Sequence, residues 1–266
     1  MSNKGIIRAG IGGWTFEPWR GVFYPSDLKQ KDELNYASRH VTSIEINGTY
    51  YSTFKPETFR KWRADTPDGF VFAVKASRFS TNRKVLADGK DSIDRFLGQG
   101  LTELGDRLGP ILWQFMATKK FDPADFEGFL SLLPKDLDGV KLRHVLEVRN
   151  ATFAVPEFVA LCRKYGAAIC ASENVNYPLI PDVTADFVYA RLLGGHDDIP
   201  TGYAPKDLDM WAKRFTTYAE GGVPEDFTLV DKPAPKEPRD VFAYFIHEGK
   251  VRAPAAAAEL LKRVNN

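Results

Sequence analysis

The sequence predicts one (β/α)8 barrel domain over residues 1–266, and three observations carry that expectation. Short β-rich runs alternate with helical runs along the chain, and eight such strands follow one another. The length of 266 residues is close to the ~250 typical of the fold. No break between the eight units divides the chain, which favours a closed barrel over the runner-up, a doubly wound open sheet.

Strand one reads "IIRAGIGGW" (6–14), and "KDELNYASRH" (31–40) follows as a helix. Strand two, "TSIEINGTYY" (42–51), leads into "PETFRKWRADT" (56–66), where Pro56 suits a first helical turn. Strand three, "FVFAVKASRF" (70–79), precedes one long helix over 92–109, and strand four is "PILWQFM" (110–116). A helix over 123–134 and strand five, "HVLEVRN" (144–150), come next. The helix "VPEFVALCRKYG" (155–166) ends on a C-cap glycine. Strand six is "AAICASE" (167–173) and strand seven "DFVYARLLG" (186–194). The crossover between them is about a dozen residues with two prolines, too short for a full helix. A helix over 205–222, a Pro-rich extended loop over 223–240, strand eight "DVFAYFIH" (240–247) and a helix over 254–264 complete the chain.

Composition narrows the functional classes. The chain is 44% apolar and 27% charged, as in soluble globular proteins. No apolar run approaches the ~20 residues of a membrane span, and the N-terminus lacks the features of a signal peptide, so no membrane partner is expected. Cys162 and Cys170 are too few for a disulfide framework and read as core thiols, which makes a reduced, cytoplasmic compartment the expectation. A net charge of +1 gives no global field to attract nucleic acid.

In a barrel, alternate strand residues point inward and the active site lies at the strands' C-terminal ends. In strand two, Ile44 and Ile46 suit the outer side, leaving Glu45 and Asn47 inside. In strand five, Leu146 and Val148 go out while Glu147 and Arg149 go in. Lys75, Gln114, Ser172 with Glu173, Arg191 and His247 sit late in strands three, four, six, seven and eight. Charged groups are rarely buried unpaired, so their gathering at one end marks a site or a set of structural ion pairs.

Residue type limits the chemistry. Glu45 and Glu147 suit a general acid–base pair if their pKa values split, or a pair of glycosidase carboxylates. Lys75 suits a Schiff base if it is desolvated beside another cation. Lys75, Arg149 and Arg191 together suit an anion clamp. Of the four histidines, only His247 and His196 fall at the right end, too thin for a metal site; no metal and no cofactor are expected. "GIGG" (10–13) lacks the dinucleotide-binding spacing and reads as small residues that let the barrel close. "RFSTNRK" (78–84) is either a solvated face or an anion-binding lip, and "LGGHDD" (193–198) either a loop over the site or a solvated turn. The stretch "GGWTFEPWRGVFYP" (12–25) carries five aromatic rings: Trp14 is expected to wall the mouth, with Tyr50 or Tyr51 opposite, and Trp19, Phe23 and Tyr24 to pack the loop down.

Six ordered blocks carry a family likeness: "GWTFEPWRGVFYP", "SIEINGTYY" into "PETFRKW", "GFVFAVKASRFSTNRK", "LGDRLGPILWQF", "LEVRN" and "ADFVYARLLG". Over residues 8–247 the chain resembles the YecE-like family, domain of unknown function 72. The resemblance implies a (β/α)8 barrel and no known reaction. Trp14, Trp19, Phe23, Tyr24, Glu45, Asn47, Lys75, Gln114, Glu147, Arg149 and Arg191 match the family pattern. The chain departs from it at "QFMATKK" (family "QLPP"), "VRNATF" (family "FRHPSW") and "YFIHEGK" (family "YFNND"), where His247 replaces an asparagine.

The leading expectation is an enzyme, of hydrolase, lyase or isomerase class, acting without a redox cofactor on a small polar or anionic substrate. Glu45, Lys75 and Glu147 are the catalytic candidates; Trp14, Asn47, Gln114, Arg149, Arg191 and His247 are the substrate-binding ones. The alternatives are a nucleic-acid-binding or endonuclease-like barrel, in which aromatics beside cations stack on bases, and a non-catalytic ligand-binding protein.

Overall fold

A computed structural model of the chain describes residues 4–265, with the backbone alone for His247 and Glu248. Eight parallel strands close into a barrel: β1 (Ile7–Gly12), β2 (Ser43–Ile46), β3 (Val71–Lys75), β4 (Leu108–Gln114), β5 (His144–Glu147), β6 (Ala168–Glu173), β7 (Phe187–Gly194) and β8 (Asp240–Glu248). Each strand pairs with its sequence neighbours, and β8 closes onto β1 with Ile7 opposite Val241 and Ile11 opposite Phe245. The (β/α)8 expectation therefore holds. The helices are α1 (Glu33–Ala37), α2 (Pro56–Asp65), α3 (Arg78–Thr81), α4 (Lys90–Leu97), α5 (Pro123–Ser131), α6 (Pro156–Tyr165), α7 (Pro205–Ala219) and α8 (Ala253–Val264). No helix among the described residues is long and apolar enough to cross a membrane.

Local sequence explains the element ends. Helices α2, α5, α6 and α7 each start on proline, whose fixed φ suits a first turn and whose missing N–H costs nothing there. Gly166 ends α6 in the left-handed conformation, φ 65°, as its position suggested. The long helix expected over 92–109 does not form. It breaks at Gly98 into α4 and a 3-10 turn (Leu101–Arg107), with Gly100 at φ 105° and Gly105 at φ 55°, backbone that an α-helix excludes. The helix expected over 31–40 shrinks to a 3-10 turn and the five-residue α1. Strand three ends at Lys75, and the next residues form α3, where Ser77 Oγ accepts from the Phe79 N–H at 3.4 Å. A two-stranded ribbon, Asp136–Leu137 with Val140–Lys141, was also invisible in the sequence pattern.

The β6–β7 crossover carries no helix, as its two prolines suggest. The Pro-rich loop after α7 covers part of this flank instead. Asp182 accepts from the Val230 and Asp231 N–H groups, both at 2.9 Å, which satisfies two orphan donors.

Two apolar layers result from strand alternation. One lies between barrel and helices and holds residues such as Ile44, Phe72, Leu146 and Leu192. The other fills the barrel with Val71, Ala73, Leu112, Val145, Cys170, Tyr189 and Tyr244. Cys162 belongs to the outer layer, and burial pushes both thiols above their usual pKa. Beyond Arg8, whose guanidinium lies 5.3 Å from the centre of the inner Phe242 ring, strand β1 carries only Gly10 and Gly12 on its inward face. A Cβ on Gly10 would stand 1.9 Å from the Ser43 carbonyl oxygen, so β1 and β2 approach too closely for any side chain there. Gly10→Ala is accordingly expected to cost at least about 2 kcal/mol, because the clash is with backbone that cannot swing aside. Urea unfolding checks this; wild-type stability in the variant would refute it.

Candidate functional site

Above the apolar filling, the inner face turns polar. Arg191 on β7 is the centre of the cluster. Its Nη1 donates to Glu147 Oε2 at 2.8 Å and its Nη2 to Glu45 Oε1 at 3.1 Å, joining strands β2, β5 and β7 in one ion triad. Both carboxylates have 0% exposure. Glu147 Oε2 also accepts from Gln114 Nε2 at 2.6 Å, and Oε1 accepts from Arg149 Nε and Nη2 at 3.1 and 2.9 Å. Glu45 Oε2 accepts from the Tyr189 hydroxyl at 2.6 Å. Every carboxylate oxygen thus has a donor, which a buried charge requires.

The expected gathering of Glu45, Lys75, Glu147, Arg149 and Arg191 is what the structure shows, and Gln114 joins them. They differ in their access to the cavity. Glu45 and Glu147 lie behind the cavity and do not line it. Burial alone would raise the Glu147 carboxyl, but Arg191, Arg149, the Gln114 hydrogen bond and Lys75 outweigh it and bring the pKa down to about 2. Glu147 is therefore held as a carboxylate by the cations and the amide around it. Arg191 is likewise committed to two carboxylates. That leaves Lys75 and the outer edge of Arg149 from the expected clamp.

Lys75 has a different environment. It is 7% exposed at the last position of β3, and its Nζ stands 4.4 Å from the centre of the Tyr50 ring. It makes no hydrogen bond or ion pair with any described residue. Burial lowers its pKa most, the nearby Arg191 lowers it further, and Glu45 and Glu147 oppose both; the balance is about 8. The strand end is held because Thr49 Oγ1 donates to the Lys75 carbonyl at 2.7 Å.

A cavity of about 630 Å³ opens over this cluster at the C-terminal ends of the strands. Lys75, Asn47, Gln114, Arg149 and Arg191 face it, and Leu193, Phe245 and Ile246 give it an apolar side. Asn47 Nδ2 donates to its neighbour Glu45's carbonyl at 3.3 Å. A second cavity of about 400 Å³, bordered by Ser77, Asn82, Arg83 and Arg95, adjoins it across the exposed Tyr51. The "RFSTNRK" segment thus contributes Asn82 and Arg83 to that side cavity, while Arg78 lies over the Tyr51 and Phe79 rings at 5.9 and 5.3 Å. Among the described residues, no three His, Cys, Asp or Glu side chains gather as a metal site.

Trp14 is not part of the wall. Strand β1 ends at Gly12, and Gly13 at φ 72° turns the chain, so Trp14 leaves the inward alternation. It packs outside the barrel, edge-on to Trp62 on α2 at 5.2 Å and against Phe72 at 6.1 Å. Trp19 packs the loop as expected, edge-on to Phe16, Phe23 and Tyr24, and also borders the cavity, with its Nε1 donating to the Lys250 carbonyl at 2.8 Å. Lys250 also lines the cavity. Its Nζ stands 4.2 Å from the Phe16 ring, and burial lowers its pKa. Sequence reading missed Lys250 and Trp19 as lining groups; the one signal was the family departure at "YFIHEGK". The side chain of His247 lies outside the described residues, although its backbone belongs to β8. Ser172 is buried beside Cys170 inside the barrel. Glu173 faces outward, accepting from Tyr203, Trp211 and the Gly194 N–H. The "LGGHDD" loop is tied to the loop after β8, as Asp197 Oδ1 accepts from the Val251 N–H at 3.0 Å.

Comparisons with known proteins give kinship without chemistry. The profile of the family described as "Protein of unknown function DUF72" matches residues 8–266. The UPF0759 protein YecE of Escherichia coli K12 is 29% identical over 143 residues. That alignment covers 52% of this chain, and the chain spans about half the length (49%) of that relative. A crystal structure of a DUF72 family protein from Thermotoga maritima superposes with a TM-score of 0.74 at 20% identity, covering 98% of this chain and 100% of the other. One from Enterococcus faecalis gives 0.73 at 17% identity, covering 99% of each chain. At these identities the likeness establishes the fold.

Two outcomes follow from the triad. Arg191→Met removes the ion pair of Glu45 and one of the two guanidiniums on Glu147 and is expected to cost about 3–5 kcal/mol, measurable by urea unfolding; an unchanged midpoint would show that the triad does not hold the strands. The Glu147 carboxyl has a lower pKa folded than unfolded, so protonation favours the unfolded chain. Its stabilisation is complete above about pH 4.5 and disappears as pH falls toward about 2, and Glu147→Gln should flatten that part of the stability profile.

Proposed function

The chain belongs to the DUF72 family of proteins of unknown function, a membership that assigns no reaction, and we propose from the cavity's chemistry that the protein is an enzyme acting on a small polar or anionic, phosphate- or carboxylate-bearing, substrate. The observation that carries this reading is the unpartnered Lys75 amine in the cavity wall. Two glutamates and two arginines cancel within the cluster, so the charge of the pocket floor is the charge of Lys75. With a pKa of about 8 it exchanges its proton near physiological pH, as a general acid or base must. Arg149, with a side chain 22% exposed, and Lys250 farther out add positive charge that draws an anion inward. Asn47 and Gln114 supply neutral polar groups for orientation, and Phe245, Ile246 and Leu193 an apolar side.

In this reading Lys75 moves the proton, Arg149 holds the anionic group, and the triad keeps both in place. A substrate anion beside Lys75 would raise its pKa again, so binding and protonation are coupled.

A buried, unpaired cation is also a stability burden. Lys75→Met, which keeps the stem and removes the charge, is expected to stabilise the fold by roughly 1–3 kcal/mol at pH 7. The gain should vanish as pH rises from about 8 to about 10.5, because the folded chain sheds the lysine proton before the unfolded chain does. Thermal melts across that range check it; a destabilised variant at pH 7 would refute it. The function itself is tested by incubating wild type and Lys75→Met with a cell extract and comparing metabolites by mass spectrometry. The expected result is an anionic metabolite consumed by wild type alone. A ligand retained by both and consumed by neither would make the protein a binder without catalysis.

A further inference from the structure

Lys75 has a feature that proton transfer does not require: no hydrogen bond or ion pair to a described residue holds its ammonium form, only the Tyr50 ring face and the surrounding charges of Glu45 and Glu147. Glu45 and Glu147 flank it, but their oxygens already accept from Arg191, Arg149, Gln114 and Tyr189. A lysine meant only as a fixed positive charge would take one of those oxygens. Instead two guanidiniums hold the carboxylates, and the amine stands in the cavity wall against an aromatic face. Arg149 meanwhile spends Nε and Nη2 on Glu147, leaving Nη1 without a partner among the described residues, in a side chain that lines the same cavity.

From this juxtaposition, and resting on the reading of the cavity as an active site, we propose that Lys75 is a nucleophile that forms an imine with an oxo acid whose carboxylate is held by Arg149. The step balances without an oxidant or reductant. The neutral amine's lone pair adds to the carbonyl carbon while the carbonyl oxygen takes a proton from the nitrogen, giving a carbinolamine. The hydroxyl then leaves as water with a second proton from solvent, and the C=N bond forms. The iminium keeps the positive charge that the pocket floor already accommodates, and it draws electrons from the adjacent carbon, where a C–H or C–C bond can then break. The Tyr50 ring face suits that cation as it suits the ammonium. With a pKa near 8, about a tenth of the amine is neutral at pH 7, far more than for an ordinary lysine.

Lys250 is the rival amine in the same cavity. It lies over the Phe16 and Trp19 rings at 4.2 and 6.0 Å, two faces that favour its ammonium, whereas Lys75 has one such face and the Arg191 charge acting against it. The geometry therefore selects Lys75.

The test uses the full chain with pyruvate, glyoxylate or 2-oxoglutarate and sodium cyanoborohydride at pH 7, followed by peptide mapping. A single reduced adduct at Lys75, formed at least tenfold faster than at any other lysine, is expected with at least one of the three acids. Arg149→Gln should slow it at least tenfold, while a simple aldehyde without a carboxylate should be trapped equally by both proteins. Lys75 labelled no faster than Lys250 or surface lysines, with all three acids, would overturn the proposal. Protection of the cavity from thermal unfolding by the same acids, without trapping, would overturn the imine alone and leave the proposed function standing. Absence of both trapping and protection, with no metabolite consumed, would remove both.

Discussion

A single guanidinium holds the C-terminal end of this barrel together. Arg191 bridges Glu45 and Glu147 across strands β2, β7 and β5, and everything else near the cavity is arranged by that bridge. Moving three charges into an interior layer costs several kcal/mol per ion, and their mutual attraction repays this only when each remaining lone pair is met. Tyr189, Gln114 and Arg149 meet them. The triad is thus less a source of stability than a commitment: three strands must stand in one register for it to exist at all.

The bridge also determines what Lys75 is. Were Arg191 apolar, Lys75 would pair with a glutamate and become an ordinary buried ion pair with a high pKa. Because Arg191 outcompetes it for both carboxylates, Lys75 is left desolvated and beside a like charge, two effects that lower its proton affinity together. Arginine suits the bridging place better than a second lysine would. Its planar fork reaches two carboxylates at once, and its charge does not titrate.

How much of this was legible in the sequence follows from physical range. The alternation of strands β2 and β5 is a local property, so "SIEIN" and "VLEVRN" already placed Glu45, Glu147 and Arg149 inside, and position late in a strand marked Lys75, Gln114 and Arg191. That Arg191 pairs with both glutamates is decided across the barrel, between residues more than 40 positions apart, and no local pattern carries that. The sequence therefore named both carboxylates without showing that each of their oxygens accepts a hydrogen bond in the fold. Trp14 was misplaced for a different reason: one positive-φ glycine ends the alternation just before it. Lys250 and Trp19 sit on loops, where periodicity has no meaning, and meet only because β8 closes on β1.

Strand β1 offers the complementary case, where the missing side chains matter. Gly12 faces the cavity, and a Cβ there would come within 3.1 Å of Asn47 Nδ2 and 2.9 Å of Ile246 Cδ1. The binding space is consequently lopsided: charged groups crowd one half of the circle, and bare main chain forms part of the other. A ligand's uncharged portion would rest on that bare stretch, and its bulk there is limited by one hydrogen atom of one residue. That one position is therefore a size gauge for whatever fills the cavity, with the charged groups left untouched.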